Sequence, residues 1–145
     1  MATFNKVNDF VLNAVQTMNL STDQVTLALS NTAPGTETPD PSADGNGILA
    51  NVTEITYTNL SSRNVTTTSS AQTAGTYKLV LTDITLTSSG GSTGPFQYVY
   101  IFDDTTTAPI DALIGFYDYG SALTLNDGDS LTVDFSAANG VLQIV

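Results

Sequence analysis

The sequence predicts a mainly β fold, an antiparallel β-sandwich or jelly-roll-like barrel of about eight strands with one N-terminal amphipathic helix. Three observations predict it. Charged residues are only 12% of the chain, so Thr, Ser, Asn and Gly supply the polarity, and these suit strands and turns better than helices. Short segments that alternate apolar and polar residues recur between clusters of Gly, Pro, Asn and Asp. Only the N-terminal segment repeats at helical spacing. The chain of 145 residues is expected to form a single domain over 1–145 that buries a core without staples.

The helical signal comes first. Phe4, Val7, Val11, Val15 and Met18 fall three or four apart, with Asn5, Asp9 and Asn13 between them. That spacing predicts an amphipathic helix over residues 3–18, with Thr3 placed to cap it and Asp9 the nearby acid. Its apolar stripe either packs on the domain's own sheet or docks on a neighbouring subunit. In residues 24–30, Val25, Leu27 and Leu29 alternate with Thr26 and Ala28, the pattern of a half-buried strand. Residues 31–47 place Pro34, Pro39 and Pro41 among Gly, Asp, Asn and Thr and read as a long loop. Such a loop is either a mobile connection or a contact arm.

From residue 48 to 145 the chain is expected to be mostly β. Residues 48–57 fit a helical turn or an irregular strand, 64–68 a polar strand, and 69–75 a small-residue connection. Over 76–87, Tyr77, Leu79 and Leu81 alternate, and Ile84 and Leu86 continue out of phase, so a bulge or bend is expected at Thr82–Asp83. After the glycine-rich stretch 88–94, Phe96, Tyr98, Tyr100 and Phe102 share one face and Gln97, Val99 and Ile101 the other. Both faces are largely apolar, which predicts a central strand covered on both sides. Further strands are expected at 113–119, 122–125, 131–135 and 141–145, with hairpin turns at 126–129 (NDGD) and Asn139–Gly140.

Charge narrows the function. There are 14 acidic residues against three basic ones, Lys6, Arg63 and Lys78, giving a net charge of −11. Nucleic-acid binding rests on Lys and Arg displacing counterions from phosphates, so no nucleic-acid partner is expected. Anionic membranes are disfavoured for the same reason, and no apolar run approaches the length of a membrane span. No secretory leader is read in the first residues, so the acceptor patterns at Asn51, Asn59 and Asn64 carry no weight. The charge should steer the chain toward a basic or neutral partner.

Chemistry is expected to be absent. The chain has no His and no Cys, which removes the usual general base and the thiol nucleophile together. Lys78, out of phase with Tyr77 and Leu79, is expected to face solvent rather than serve a Ser–Lys pair. Paired carboxylates drawn from Asp103, Asp104, Asp118 and Asp134 are the remaining catalytic arrangement, and these acids read better as strand-end and turn residues. Asp127-Gly128-Asp129 lacks the spacing and distal Glu of a calcium loop and reads as a turn. Asp103–Asp104 is the other place where a calcium ion is conceivable. No enzyme activity and no cofactor are therefore expected, and binding or assembly is.

Four stretches carry a family resemblance: ATFNKVNDFV, LALSNTAP, SSAQTAGTYKLVLTDITLTSSGGSTGPFQYVYIFDDT and LIGFYDYGSALTLNDGDSLTVDFSAANGVLQI. In order and content they resemble a family of small virion structural proteins of tailed bacteriophages, of the capsid cement or decoration kind. The loop at 31–47 matches no motif of it. The resemblance implies a structural component of the virion, assembled in the host cytoplasm, and a cement or decoration subunit on the outer capsid surface is the leading reading of its place. Its partners would be the major capsid protein and copies of itself, as a homotrimer. A −11 subunit inside the head would face packaged DNA of the same sign, which favours the outer capsid surface or the tail. A tail or neck subunit that polymerises through strand edges is the alternative. A carbohydrate-binding or host-adhesion module using Tyr98, Tyr100, Tyr117 and Tyr119 is a third. The residues expected to meet a partner are Phe4, Val7, Val11, Pro34, Pro39, Pro41, Tyr98 and Tyr100.

Overall fold

The computed structural model describes residues 2–145. Ten strands and one short helix follow in the order β1 (Phe4–Lys6), α1 (Phe10–Gln16), β2 (Val25–Ser30), β3 (Asn64–Val65), β4 (Thr67–Thr73), β5 (Thr76–Leu81), β6 (Ile84–Thr87), β7 (Thr93–Thr107), β8 (Ile110–Leu125), β9 (Ser130–Val133) and β10 (Leu142–Ile144). They form a five-stranded sheet β1-β8-β7-β2-β3, a three-stranded sheet β10-β5-β4 and a pair β6-β9. Every pairing is antiparallel. The expected mainly β, sandwich-like architecture with a helix near the N-terminus is what forms.

Two apolar cores flank the large sheet. The larger joins Leu27, Val99, Ile101 and Ile114 of that sheet to Leu79, Leu81 and Leu86 of the smaller ones and to Phe135, just past β9. The second lies on the opposite face and gathers Val7, Ala28, Val52, Tyr100, Phe102 and Leu113. β7 is therefore covered on both sides, as its two apolar faces predict. Phe96 is an exception to the expected phase. It joins Val99 and Ile101 in the larger core, because the ladder with β8 slips between Phe96 and Tyr98 and the slip reverses which face a side chain meets.

The N-terminus corrects the helix expected over 3–18. Phe4–Lys6 is instead an edge strand paired with Gly115–Tyr117 of β8, and α1 covers only Phe10–Gln16. Phe4 stacks on Tyr117 with ring centroids 5.4 Å apart. The close approach depends on Gly115, where a Cβ would stand 2.6 Å from the Asn5 carbonyl oxygen. Thr3 caps nothing helical. Asp9, at the helix start, makes no side-chain cap; its carboxylate accepts the Gly45 and Gly47 N–H groups, each at 2.9 Å. The inward face of α1 is Phe10 and Asn13, so the stripe read from the sequence is split: Val7 is buried, while Val11 and Val15 point outward.

The loop at 31–47 is tied down rather than extended as an arm. Pro34 and Pro41 are buried, Glu37 accepts the Thr53 N–H and hydroxyl at 2.8 Å, and Asp9 holds its far end. β2, expected to be half-buried, is buried along its whole length, since the residues after it cover its second face. Arg63 completes that edge. Its guanidinium sits 3.7 Å from the Tyr57 ring centroid, lies 3.9 Å from Glu54 and donates to the Leu27 carbonyl.

Other boundaries shift for tertiary reasons. Residues 69–73, expected to be a connection, extend β4, and Ala74–Gly75 turns the chain into β5 with positive φ at both positions. The bend at Thr82–Asp83 divides two strands that join different sheets, β5 and β6. Residues 113–119 and 122–125 form one strand, β8. The NDGD and Asn139–Gly140 turns are present but close no hairpin, because β9 pairs with β6 and β10 pairs with β5.

Candidate functional site

Edge strands β1 and β10 belong to different sheets, and an apolar seam runs between them. At one end is a cleft of about 310 Å³ lined by Ala2, Phe4, Tyr117, Tyr119, Leu131, Val133, Asp134, Gly140 and Val141. At the other is a groove of about 240 Å³ lined by Lys6, Phe10, Val11 and Leu142–Val145. Both walls advance together along the chain, from Phe4 to Lys6 on one side and from Gly140 to Val145 on the other. The two hollows thus lie at neighbouring positions along the same two chain segments.

The seam differs from the rest of the surface. Val11 is 51% exposed, Val15 82% and Val145 97%, with Leu12 and Ile144 exposed beside them. α1 and β10 contain no charged residue, in a chain whose net charge is −11. Scattered apolar surface residues are ordinary, whereas a contiguous apolar strip marks a contact surface. In the cleft, burial raises the Tyr117 hydroxyl pKa above its ordinary value, and the nearby Asp134 carboxylate adds to that. Asp134 is itself exposed.

Four of the residues expected to meet a partner lie inside the protein. Val7 and Tyr100 belong to the second core, and Pro34 and Pro41 are buried under the loop they shape. Phe4 and Tyr98 are half-buried, and Val11 and Pro39 are exposed. Of these, only Phe4 and Val11 reach the seam. Tyr100 has a buried hydroxyl without a hydrogen-bond partner, and burial with the nearby Glu37 and Asp40 raises its pKa. The four tyrosines considered for a glycan platform do not form one: Tyr100 is buried, and Tyr119 alone is exposed.

The acids considered for catalysis are dispersed. Asp103 is buried and meets Asp23. Asp118 accepts from Gln97 at 2.9 Å and from the Gly120 N–H at 2.7 Å, Asp104 lies near Asp111, and Asp134 borders the cleft. Asp127 accepts the Gly90 N–H of the glycine-rich stretch 88–94, and Asp129 accepts the Asn126 N–H of their own turn. Among the described residues, no group of three or more metal-ligating side chains is close enough to hold an ion. Lys78, expected to face solvent, donates to the Ala138 carbonyl at 2.7 Å. The seam residues Tyr117, Leu131, Val133, Ile144 and Val145 were not distinguishable in the sequence, because apolar residues in strands read as core.

Together, fold and site describe a sandwich-like β protein of net charge −11 with one largely apolar seam, in which Lys6 and Asp134 are the charged side chains. No protein-family model, curated protein or solved structure matches the chain.

Proposed function

We propose that this chain is a structural protein of a tailed-bacteriophage virion, a cement or decoration subunit. In that role it binds the outer surface of the shell of major capsid protein and stabilises it. The resemblance of the four sequence stretches supplies the virion. The seam supports the mode of action: a largely apolar strip on a strongly acidic chain directs one face to a partner and leaves the rest in solvent. Val11, Ile144 and Val145 line the groove, and Val15 lies one turn along α1 from Val11 on the same helix face; this exposed apolar set is the observation that carries the reading. No enzymatic step is part of it, in keeping with a chain without His or Cys.

The test adds purified protein to phage heads assembled without it and measures co-sedimentation and the melting temperature of the heads. The expected result is saturable binding and a higher melting temperature, both lost on Val15→Asp. Rings or tubes formed by the protein alone would point to the tail or neck instead. The free edges of β3 and β4 are the strands that such polymerisation would use. Absence of binding to heads, by protein whose monomer is folded, overturns the cement reading.

A further inference from the structure

We infer that the cleft between β1 and β9 receives an arginine side chain of the partner. The argument starts from a comparison inside the molecule. At the edge of β2, an aromatic face and a carboxylate hold a guanidinium: Arg63 lies 3.7 Å from the Tyr57 ring centroid and 3.9 Å from the Glu54 carboxylate, and Tyr57 donates to that carboxylate at 2.5 Å. The cleft presents the same kinds of group in Phe4, Tyr117, Tyr119 and Asp134. Here they surround a hollow of about 310 Å³, and among the described residues Asp134 has no ion-pair partner.

Among the described residues, the Lys and Arg side chains are placed elsewhere. Arg63 is engaged at Tyr57, Lys78 at the Ala138 carbonyl, and Lys6 lines the adjoining groove with Phe10 and Val11. A cation attracted to ring faces and to a carboxylate at once is favoured most where water is displaced. Arginine fits better than lysine, because its planar group stacks on a ring while its edge donates two bonds to a carboxylate. The stem of the side chain meets Leu131 and Val133 on the cleft wall. The net charge of −11 draws such a side chain inward from a distance.

The inference deepens the reading of the seam as a contact surface, and rests on the proposed function only for the molecule that carries the arginine. Its test therefore uses a small probe. The protein is titrated by NMR with N-acetyl-arginine N-methylamide at physiological salt, beside the uncharged isostere N-acetyl-citrulline N-methylamide. The expected result is shifts confined to Phe4, Tyr117, Tyr119, Leu131 and Asp134, with citrulline binding at least ~5-fold more weakly, in line with a cation–ring contribution of about 1 kcal/mol or more. Asp134→Asn and Tyr119→Ala, both at exposed positions, should each weaken arginine binding to a similar extent, while Asp127→Asn leaves it unchanged. Equal binding of citrulline, or shifts spread over the acidic surface, overturns the inference. Heads that bind the protein while the probe ignores the cleft would remove the arginine site and leave the proposed function. A probe that binds as expected while heads do not would do the reverse.

Discussion

Asp103 meets Asp23 where β7 passes under the turn that leads into β2, and the two carboxyls face one another with Asp103 fully buried. One Asp103 oxygen accepts the Thr105 N–H at 2.9 Å, and the other has no donor. Burial pushes the Asp103 pKa up to about 6 from an ordinary 3.8, with the Thr105 N–H opposing and Asp23 adding to the rise. Asp23 accepts the Asn19 N–H at 2.6 Å, so the pair links β7 to the chain entering β2. Protonated, Asp103 can donate to Asp23 and supply the missing bond.

The folded protein therefore holds this proton more tightly than the unfolded chain does. Its contribution to stability is complete below pH ~4 and is lost as pH rises through about 6. Urea midpoints measured between pH 4 and 7 should fall over that interval by the equivalent of about 1–2 kcal/mol, part of the effect being screened by solvent at half-buried Asp23. In Asp103→Asn the midpoints should be nearly flat over the same range. A wild-type profile that rises instead would show that the pair does not share a proton.

Asp9 ties the start of α1 to the far end of the 31–47 loop through two backbone N–H groups. Removing a charged acceptor from such bonds costs about 1–3 kcal/mol. Asp9→Ala should lose that much stability, and amide exchange should accelerate first at Gly45 and Gly47. Exchange that speeds up equally throughout the chain would argue against a local tie.

Gly115 lets β1 lie against β8, and a methyl group there would collide with the Asn5 carbonyl and the Phe4 ring. Gly115→Ala should displace β1 and expose the Phe4–Tyr117 contact, costing about 1–3 kcal/mol as overpacking does. Limited proteolysis should then cut within residues 4–6, which are paired with β8 in the parent.

Val15 projects from α1 and is 82% exposed. Val15→Asp should change stability by no more than about 0.5 kcal/mol. A larger loss in thermal unfolding would place Val15 in the core instead of on the contact surface.

Much of the fold could be read from local pattern. The alternation around Val99–Phe102 identified a strand covered on both faces because each face carries its own apolar set. Where the pattern misled, a distant partner decided the outcome. Phe4 and Val7 satisfy helical spacing, yet Phe4 is held by Tyr117 and Gly115, far along the chain, and no local spacing reveals that. The NDGD turn was visible, but which strand Leu131 and Val133 would pair with was not; β6 takes them. The loop residues Pro34 and Pro41 looked like an exposed arm, since proline marks a turn without telling which side of it is covered. The seam was the least legible feature. It exists only where an N-terminal and a C-terminal edge strand come together, and Val145 and Tyr119 have no sequence context that separates an exposed apolar residue from a core one.

Because Ala2 lines the cleft and Val145 the groove, a foreign peptide joined to the chain beside either residue would lie against the contact strip. The hairpin tip at Ala74–Gly75 is the better attachment point. Both residues are exposed, the glycine has open space around it, and the tip lies outside both hollows of the seam. Cargo carried there would leave the seam unobstructed, which makes the β4–β5 turn the natural place to build on this scaffold.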